Sequence, residues 1–207
     1  MKEAILNSKG FRKMDLTVRK GVYPPSEDTF LLIDAIRSED VSGRALELCA
    51  GSGAVGLSIA EKLDSIIAVD INPAAAENTV ENYRINGLAE KVDAVAGDLF
   101  SPLWGRRFDL IIMNPPYLAD EGGPTDLSWS GGEDGRRVID RFLKEVPEYL
   151  SGGGRAFFLQ TDANGIDRSL GIAGSCGMDG RVVRSAEFMF EQLVVIRLAL
   201  KNQVKEE

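Results

Sequence analysis

Histidine is absent from the 207-residue chain, and its absence excludes Ser-His-Asp hydrolysis, Cys-His proteolysis, imidazole general-base catalysis and histidine-ligated metals. Cysteine is scarce. Cys49 and Cys176 lie far apart and match no metal-ligand spacing, and a secreted domain of this size normally carries more. A reducing, cytoplasmic setting is therefore expected, with no metal site on this chain. Long hydrophobic runs are missing too: the uninterrupted apolar stretches at 66–69 and 193–196 fall far short of the ~20 residues a bilayer span needs. Charge interrupts residues 1–14 too often for a secretory signal, so no membrane association is expected. Net positive charge is also lacking. With 24 Lys and Arg against 32 Asp and Glu the formal charge is -8, which removes the overall basic field of a free-standing nucleic-acid binder, though not a local basic patch.

What the chain does contain is glycine, 22 residues of it, above the usual share of about 7%. Loops with unusual backbone geometry follow. Short apolar runs at 44–49, 65–70, 92–96, 108–113 and 155–160 have strand length, and most are followed by a loop and a helical stretch. Residues 54–62 carry apolar positions at helical spacing. Asn72-Pro73 supplies an N-cap and a first-turn proline for a helix over 74–86, which Gly87 stops. A longer amphipathic helix is expected over 133–150, ended by Ser151-Gly152-Gly153-Gly154. Strand-helix-strand order means a parallel α/β sheet. At the end of the chain, 181–187 and 192–200 read as a hairpin, so one strand must run antiparallel. Earlier, Ser26-Glu27-Asp28-Thr29 after Pro24-Pro25 opens a helix to about Ile36, with acids in the first turn as the helix dipole prefers. The expectation is one domain over 1–207: an N-terminal extension and first helix to 43, a core over 44–200, and a frayed tail.

A glycine turn, Cys49-Ala50-Gly51-Ser52-Gly53, directly follows the first of these core strands, where backbone must approach a ligand closely. Gly51, Gly53 and Gly56 formally satisfy G-x-G-x-x-G, with Asp70 closing the next strand, as in dinucleotide binders. Glu47 argues against a pyrophosphate, because it places an anion just before the turn. S-adenosylmethionine, with its amine, its sulfonium charge and no phosphate, suits that carboxylate better. Asp70 can accept from both ribose hydroxyls, or it can form an Asx turn before Asn72-Pro73. Asp98 can accept from an adenine amine. Most telling is Asn114-Pro115-Pro116-Tyr117 at the end of the fourth strand, where open α/β sheets place their ligands. Pro-Pro makes a rigid rim. An amide or exocyclic amine attacks poorly, but hydrogen bonds to the Asn114 side-chain oxygen and the Pro115 carbonyl aim it, and Tyr117 can stack on a planar group.

Together these residues resemble class I methyltransferases of the HemK type, which methylate the glutamine of the Gly-Gly-Gln motif in peptide-chain release factors. The resemblance spans nearly the whole chain. Residues 22–30, Val-Tyr-Pro-Pro-Ser-Glu-Asp-Thr-Phe, and 129–136, Trp-Ser-Gly-Gly-Glu-Asp-Gly-Arg, are similar to segments of the short archaeal and eukaryotic branch. The resemblance implies a Rossmann-like, seven-stranded sheet with an antiparallel last strand and S-adenosyl-L-methionine as cofactor. It places Thr29, Glu47, Gly51, Gly53, Asp70, Asp98, Leu99 and Asn114 at that cofactor: Glu47 toward the methionine amine, Asp70 toward ribose, Asp98 and Leu99 toward adenine. Asn114, Pro115, Pro116 and Tyr117 form the catalytic motif. It also implies a release factor as substrate and a small zinc-binding activator subunit, for which the edge strand at 92–96, with Val92 and Val95, is the expected contact. The sequence departs from the family in lacking room for the N-terminal helical domain of bacterial members, and in carrying no glycine where Cys49 or Ala50 sits, a place where the family usually has one. Three other readings stay open: N6-adenine methylation of DNA or RNA, which also uses Asn-Pro-Pro-Tyr; an NAD(P)-dependent dehydrogenase, which leaves residues 114–117 without a purpose; and a catalytically silent binding subunit.

Overall fold

Parallel strands covered on both faces read in sequence as unbroken apolar runs, and the runs of this chain form the centre of one sheet. The computed structural model describes residues 2–5, 14–120, 129–188 and 191–201. In chain order the elements are β1 (Lys2–Ile5), β2 (Met14–Thr17), α1 (Glu27–Arg37), β3 (Arg44–Leu48), α2 (Ala54–Leu57), β4 (Ser65–Asp70), α3 (Pro73–Ile85), β5 (Val92–Ala96), β6 (Phe108–Met113), α4 (Arg137–Tyr149), β7 (Leu150–Thr161), α5 (Ile166–Ser175), β8 (Met178–Phe188) and β9 (Glu191–Leu200). The seven-stranded sheet has the order β5-β4-β3-β6-β7-β9-β8. β3 to β7 pair in parallel, and β9 runs antiparallel to both β7 and β8. The hairpin expected from the sequence thus reverses the last strand alone.

Side chains alternate across the sheet with the period of two that strands impose. Ala45, Leu110, Ile112 and Phe157 pack with Leu32 and Ile36 of α1 and Val55 of α2. Leu46, Leu48, Ile111 and Phe158 pack on the other face with Ile139, Phe142 and Val146 of α4. From β3 the chain moves first to β4 and later to β6 on the opposite side, so a crevice opens at the carboxyl ends of these strands. Among the described residues no helix is long and apolar enough to cross a membrane.

Three boundaries differ from the sequence reading. The stretch 54–62 is broken into α2 and a 3-10 turn at Ala60–Lys62; the Ser58 hydroxyl donates to the Val55 carbonyl at 2.6 Å and competes with helix continuation. The helix expected from 133 starts at Arg137, because Gly135 takes φ +70° and packs its Cα face against the Tyr117 carbonyl, where a Cβ could not fit. Ser151 to Gly154 do not form a separate loop. They belong to β7, which passes directly out of α4 and accommodates the glycines through a register shift against β6 between Phe108 and Leu110.

The N-terminal hairpin of β1 and β2 was not expected from the sequence. Leu16 is 2% exposed and joins the core on the α1 side, while the backbone of 15–19 lies along α3. There Asn78 accepts from the Arg19 N–H at 2.8 Å and donates to the Thr17 carbonyl at 2.8 Å. Asn82 accepts from the Thr17 N–H at 2.8 Å and donates to the Thr17 carbonyl at 3.0 Å. Asn86 accepts from the Asp15 N–H at 3.2 Å and donates to the Asp15 carbonyl at 2.8 Å. Side chains spaced by four on a helix meet residues spaced by two on a strand, and three carboxamides substitute for a neighbouring strand. Asn82 additionally donates to the Ser52 carbonyl at 2.9 Å, which links this segment to the glycine turn. Asn82→Ala leaves several buried backbone groups unpaired and is expected to lower unfolding free energy by about 2 kcal/mol. Urea denaturation checks the value, and limited proteolysis should show earlier cutting within residues 14–20.

Candidate active site

At the carboxyl ends of β3, β4 and β6 the crevice widens into a cleft of about 710 Å³. Of the residues expected at a cofactor, Thr29, Glu47, Gly51, Asp70, Asp98, Leu99 and Asn114 line it, as does Pro116 of the catalytic motif. Gly53 is not among its walls. It takes φ +73° at the start of α2, and a Cβ there would come within 2.6 Å of Thr79 on α3, so its lack of a side chain serves helix packing. Pro115 and Tyr117 are also outside the cleft and border a separate hollow of about 70 Å³, together with Tyr23, Asp28, Asn114, Pro116, Leu118 and Trp129. Asn114 is common to both spaces.

The turn after β3 is tightly determined. Cys49 has φ +54° and Gly51 φ +55°. A left-handed conformation favours glycine over cysteine, so Cys49 holds a strained backbone position in this turn. Glu47 is 2% exposed and accepts from the Gly56 N–H at 3.1 Å. Among the described residues it has no cationic partner, and burial pushes its carboxyl up to about 8. Gly56 is required at this point, since a Cβ would collide with the Glu47 carboxylate and lie 2.7 Å from the Tyr83 hydroxyl. Asp70 accepts from the Gly51 N–H at 2.8 Å through Oδ2 and from the Asn72 N–H at 2.9 Å through Oδ1. It therefore forms the Asx turn and faces the cleft at once. Burial raises its carboxyl as well. Asn72 caps α3 at the Ala74 N–H, 3.0 Å away, and donates to the Gly21 carbonyl at 2.8 Å, holding the segment that covers the cleft. Asp98 is exposed, and both its oxygens lie 3.0 Å from Nη1 of Arg141 on α4, an ion pair that sequence reasoning did not anticipate.

On the other side of Asn114 the organising group is Asp28, 4% exposed in the first turn of α1. Its Oδ2 accepts from Asn114 Nδ2 at 3.0 Å and from the Tyr23 hydroxyl at 3.2 Å, and the Tyr117 hydroxyl lies 3.5 Å away. Burial and the nearby carboxylate push the Tyr23 phenol up to about 12 and raise Tyr117 further. Asn114 Oδ1 is buried and has no hydrogen-bond partner among the described residues. Tyr23 meets Trp129 edge to face, with ring centroids 6.2 Å apart. The sequence had explained Asp28 as a favourable charge at a helix start. Nothing in the local pattern revealed that it faces residue 114, 86 positions away.

Glu47 is a buried carboxyl with no cation bonded to it among the described residues, and a cationic amine would draw it into its ionised form while a pyrophosphate would be repelled. Arg137 and Arg141 line the α4 side of the cleft, where Arg141 is already paired with Asp98, so the Glu47 side suits S-adenosylmethionine better than NAD. The pH dependence follows from Glu47. The unfolded chain loses this proton near 4.5 and the folded one near 8, so between these values the native state holds more protons and stability falls as pH rises. Thermal melts of the cofactor-free protein from pH 5 to 8 should show that decline, and Glu47→Gln should flatten it.

Comparisons with known proteins agree with this geometry. The family model for the methyltransferase small domain matches residues 15–173. A relative from Methanocaldococcus jannaschii that carries the name of a protein N5-glutamine methyltransferase is 34% identical over 87% of this chain and 93% of its own. Human methyltransferase HEMK2 is 34% identical over 85% of this chain and 88% of its own. Among solved structures, a chain of the E. cuniculi Mtq2–Trm112 complex, described as responsible for methylation of the eRF1 translation termination factor, superposes with a TM-score of 0.68 at 24% identity, covering 87% of this chain and 99% of that one. A buried Glu47 under a glycine turn and an Asn-Pro-Pro-Tyr rim are thus found in a chain matched by a methyltransferase family over most of its length, and the chain belongs to the HemK-type class I S-adenosylmethionine-dependent methyltransferases.

Proposed function

We propose that this chain methylates the side-chain amide nitrogen of a glutamine presented on a protein loop, the Gly-Gly-Gln motif of a peptide-chain release factor; its relatives carry the names of a protein N5-glutamine methyltransferase and a release factor glutamine methyltransferase. The observation that carries the reading is the buried, unpartnered Oδ1 of Asn114 at the junction of the cleft and the aromatic hollow. An unsatisfied buried acceptor costs free energy unless a donor arrives, and a primary amide brings N–H donors. Asn114 Oδ1 takes one, the Pro115 carbonyl takes the other, and the stiff Pro115-Pro116 pair holds both acceptors in place. Tyr117, Tyr23 and Trp129 border the space for the planar amide and its aliphatic stem.

S-adenosylmethionine, when bound, supplies a methyl group already activated for transfer, so the protein's task is alignment and exclusion of water, with no strong base needed. Glu47 and Asp70 suit the amine and ribose ends, and Leu99, 5% exposed at φ +47°, offers an apolar surface to the adenine. Asp98 is already engaged by Arg141, so an adenine amine would share that carboxylate. The charge of -8 opposes a phosphate backbone and disfavours nucleic acid as acceptor. Translation termination is cytoplasmic, which is where this reading places the protein.

A partner belongs to the same proposal. β5 forms the edge of the sheet, pairing with β4 alone, with Val92 buried and Val95 half-buried. Such an edge accepts a further strand. The structural neighbour is a two-protein complex, and a small zinc-binding activator is the partner proposed for this chain, supplying a metal that the described residues provide no cluster to hold.

The test is single-turnover methylation of a release factor containing Gly-Gly-Gln, with cofactor Kd measured alongside by calorimetry. Asn114→Ala should reduce turnover by about 100-fold or more, with cofactor affinity little changed. Asp70→Ala should do the reverse, weakening cofactor binding roughly 10- to 100-fold through the lost charged hydrogen bonds. Near-normal turnover in Asn114→Ala, or good methylation of adenine with none of glutamine, overturns the reading.

A further inference from the structure

We infer that Asp28 is a positioning residue that fixes which end of the Asn114 carboxamide faces the acceptor. This rests on the reading of Asn114 as the group that receives the amide. A carboxamide has two nearly isosteric ends, and only its oxygen can accept an N–H. With the amide turned over, its NH₂ would confront the incoming NH₂ and repel it. Pro115 and Pro116 fix the backbone but do not choose between the two ends.

The choice is made at Asp28. Its Oδ1 is occupied by the N–H of Thr29 at 2.6 Å and the hydroxyl of Thr29 at 3.1 Å, which pins the carboxylate at the start of α1. The remaining oxygen, Oδ2, points at Asn114. An ionised carboxylate accepts and cannot donate, so the end of Asn114 that meets it must be Nδ2. Oδ1 is then left toward the two cavities, buried and unpartnered. The tyrosine hydroxyls at 3.2 and 3.5 Å from the same oxygen can turn to donate or to accept, so they impose no polarity. Neighbouring charges do not supply it either: Glu27 of the same turn is bonded to Ser26. Orientation of the acceptor-binding group is therefore set by one carboxylate, placed by the first turn of a helix whose next residue, Thr29, lines the cofactor cleft.

This makes an unusual order of mutational effects. In Asp28→Asn the Thr29 N–H still requires an acceptor, so the new carboxamide keeps its oxygen there and presents its NH₂ to Asn114. Asn114 must then turn its own oxygen toward residue 28 and its NH₂ toward the acceptor, the unproductive arrangement. Asp28→Ala removes the polarity without reversing it and leaves both orientations accessible. The isosteric change should therefore harm turnover more than the truncation: kcat lower by about 100-fold in Asp28→Asn and by roughly tenfold or less in Asp28→Ala, with S-adenosylhomocysteine Kd within about twofold of wild type in both. A merely structural role predicts the opposite order. Adding Asn114→Asp to Asp28→Asn restores an acceptor on both sides of residue 114 and should recover at least tenfold of the lost rate.

The experiment measures kcat on a Gly-Gly-Gln release factor for wild type, the two single variants and the double variant. Asparagine-labelled NMR of the side-chain NH₂ of Asn114, without acceptor, is recorded alongside. Asp28→Asn should move those amide proton resonances away from their carboxylate-bonded positions. If Asp28→Ala is slower than Asp28→Asn, or if the Asn114 amide resonances are unchanged in Asp28→Asn, the inference is wrong. A wild type that labels no glutamine overturns the functional reading instead, and the amide resonances still decide the orientation.

Discussion

Burying Glu47 beneath the glycine turn, with a backbone N–H as its hydrogen-bond donor and no cation beside it, constrains much of what surrounds it. A carboxyl in that position tolerates no Cβ at residue 56, so the third residue of α2 has to be glycine. The Tyr83 ring of α3 packs up to the same point with its hydroxyl unbonded, and α3 in turn is the surface on which residues 15–19 lie. An apolar residue at 47 would relieve the desolvation, but it would also remove the buried carboxyl on which the proposed preference for an amine-bearing over a phosphate-bearing cofactor rests.

The two sides of the site are built from different material. The cofactor side comes from the ends of adjacent parallel strands, whose positions the ladder fixes. The acceptor side is assembled from three loops brought together by cross-ties. Leu118 N–H donates to the Trp129 carbonyl at 3.1 Å, Gly131 N–H to the Leu118 carbonyl at 2.7 Å, and the Asn164 amide to the Tyr117 carbonyl at 2.9 Å. Arg136, 2% exposed, is held by Asp140 and by carbonyls at 164 and 165, which anchors the start of α4 behind this wall. A loop surface adapts to the shape of a protein substrate more readily than strand ends do, while the reactive geometry stays on the sheet.

This division explains what could be read in the chain. The alternation of strands and helices, the Asn72-Pro73 cap, the C-terminal hairpin and the positions at 47, 70 and 114 were legible because each has a local signature: a period, a cap or a strand end. The switch from α4 directly into β7 through Ser151 to Gly154 was not, since glycines at a helix end ordinarily signal a stop and only pairing with β6 turns them into strand. Asp28 and Tyr23 were invisible as site residues for a related reason. Their local role at a helix start is satisfied without reference to Asn114, and the long-range contact leaves no trace in spacing. The three asparagines at 78, 82 and 86 carry a helical period, yet polar residues at that spacing read as a solvated face. That they are buried against backbone, with Asn78 and Asn82 fully so, depends on a partner segment more than sixty residues away.

The asparagine row has a consequence for how the segment it holds can vary. Its bonds run to N–H and carbonyl groups of residues 15, 17 and 19, so most of what α3 grips is main chain, with two side-chain contacts added: the Thr17 hydroxyl donates to Asn82 Oδ1 at 3.1 Å, and Arg19 pairs with Glu77 and Glu81. Leu16 is the one residue of the stretch 15–19 whose side chain is buried in the core. The main-chain bonds at the three read positions survive most substitutions, which at 17 and 19 lose only the side-chain contacts to Asn82, Glu77 and Glu81, whereas proline is rejected at each because it brings no N–H to the row. Specificity of docking there belongs to the helix, and freedom to diverge belongs to the strand.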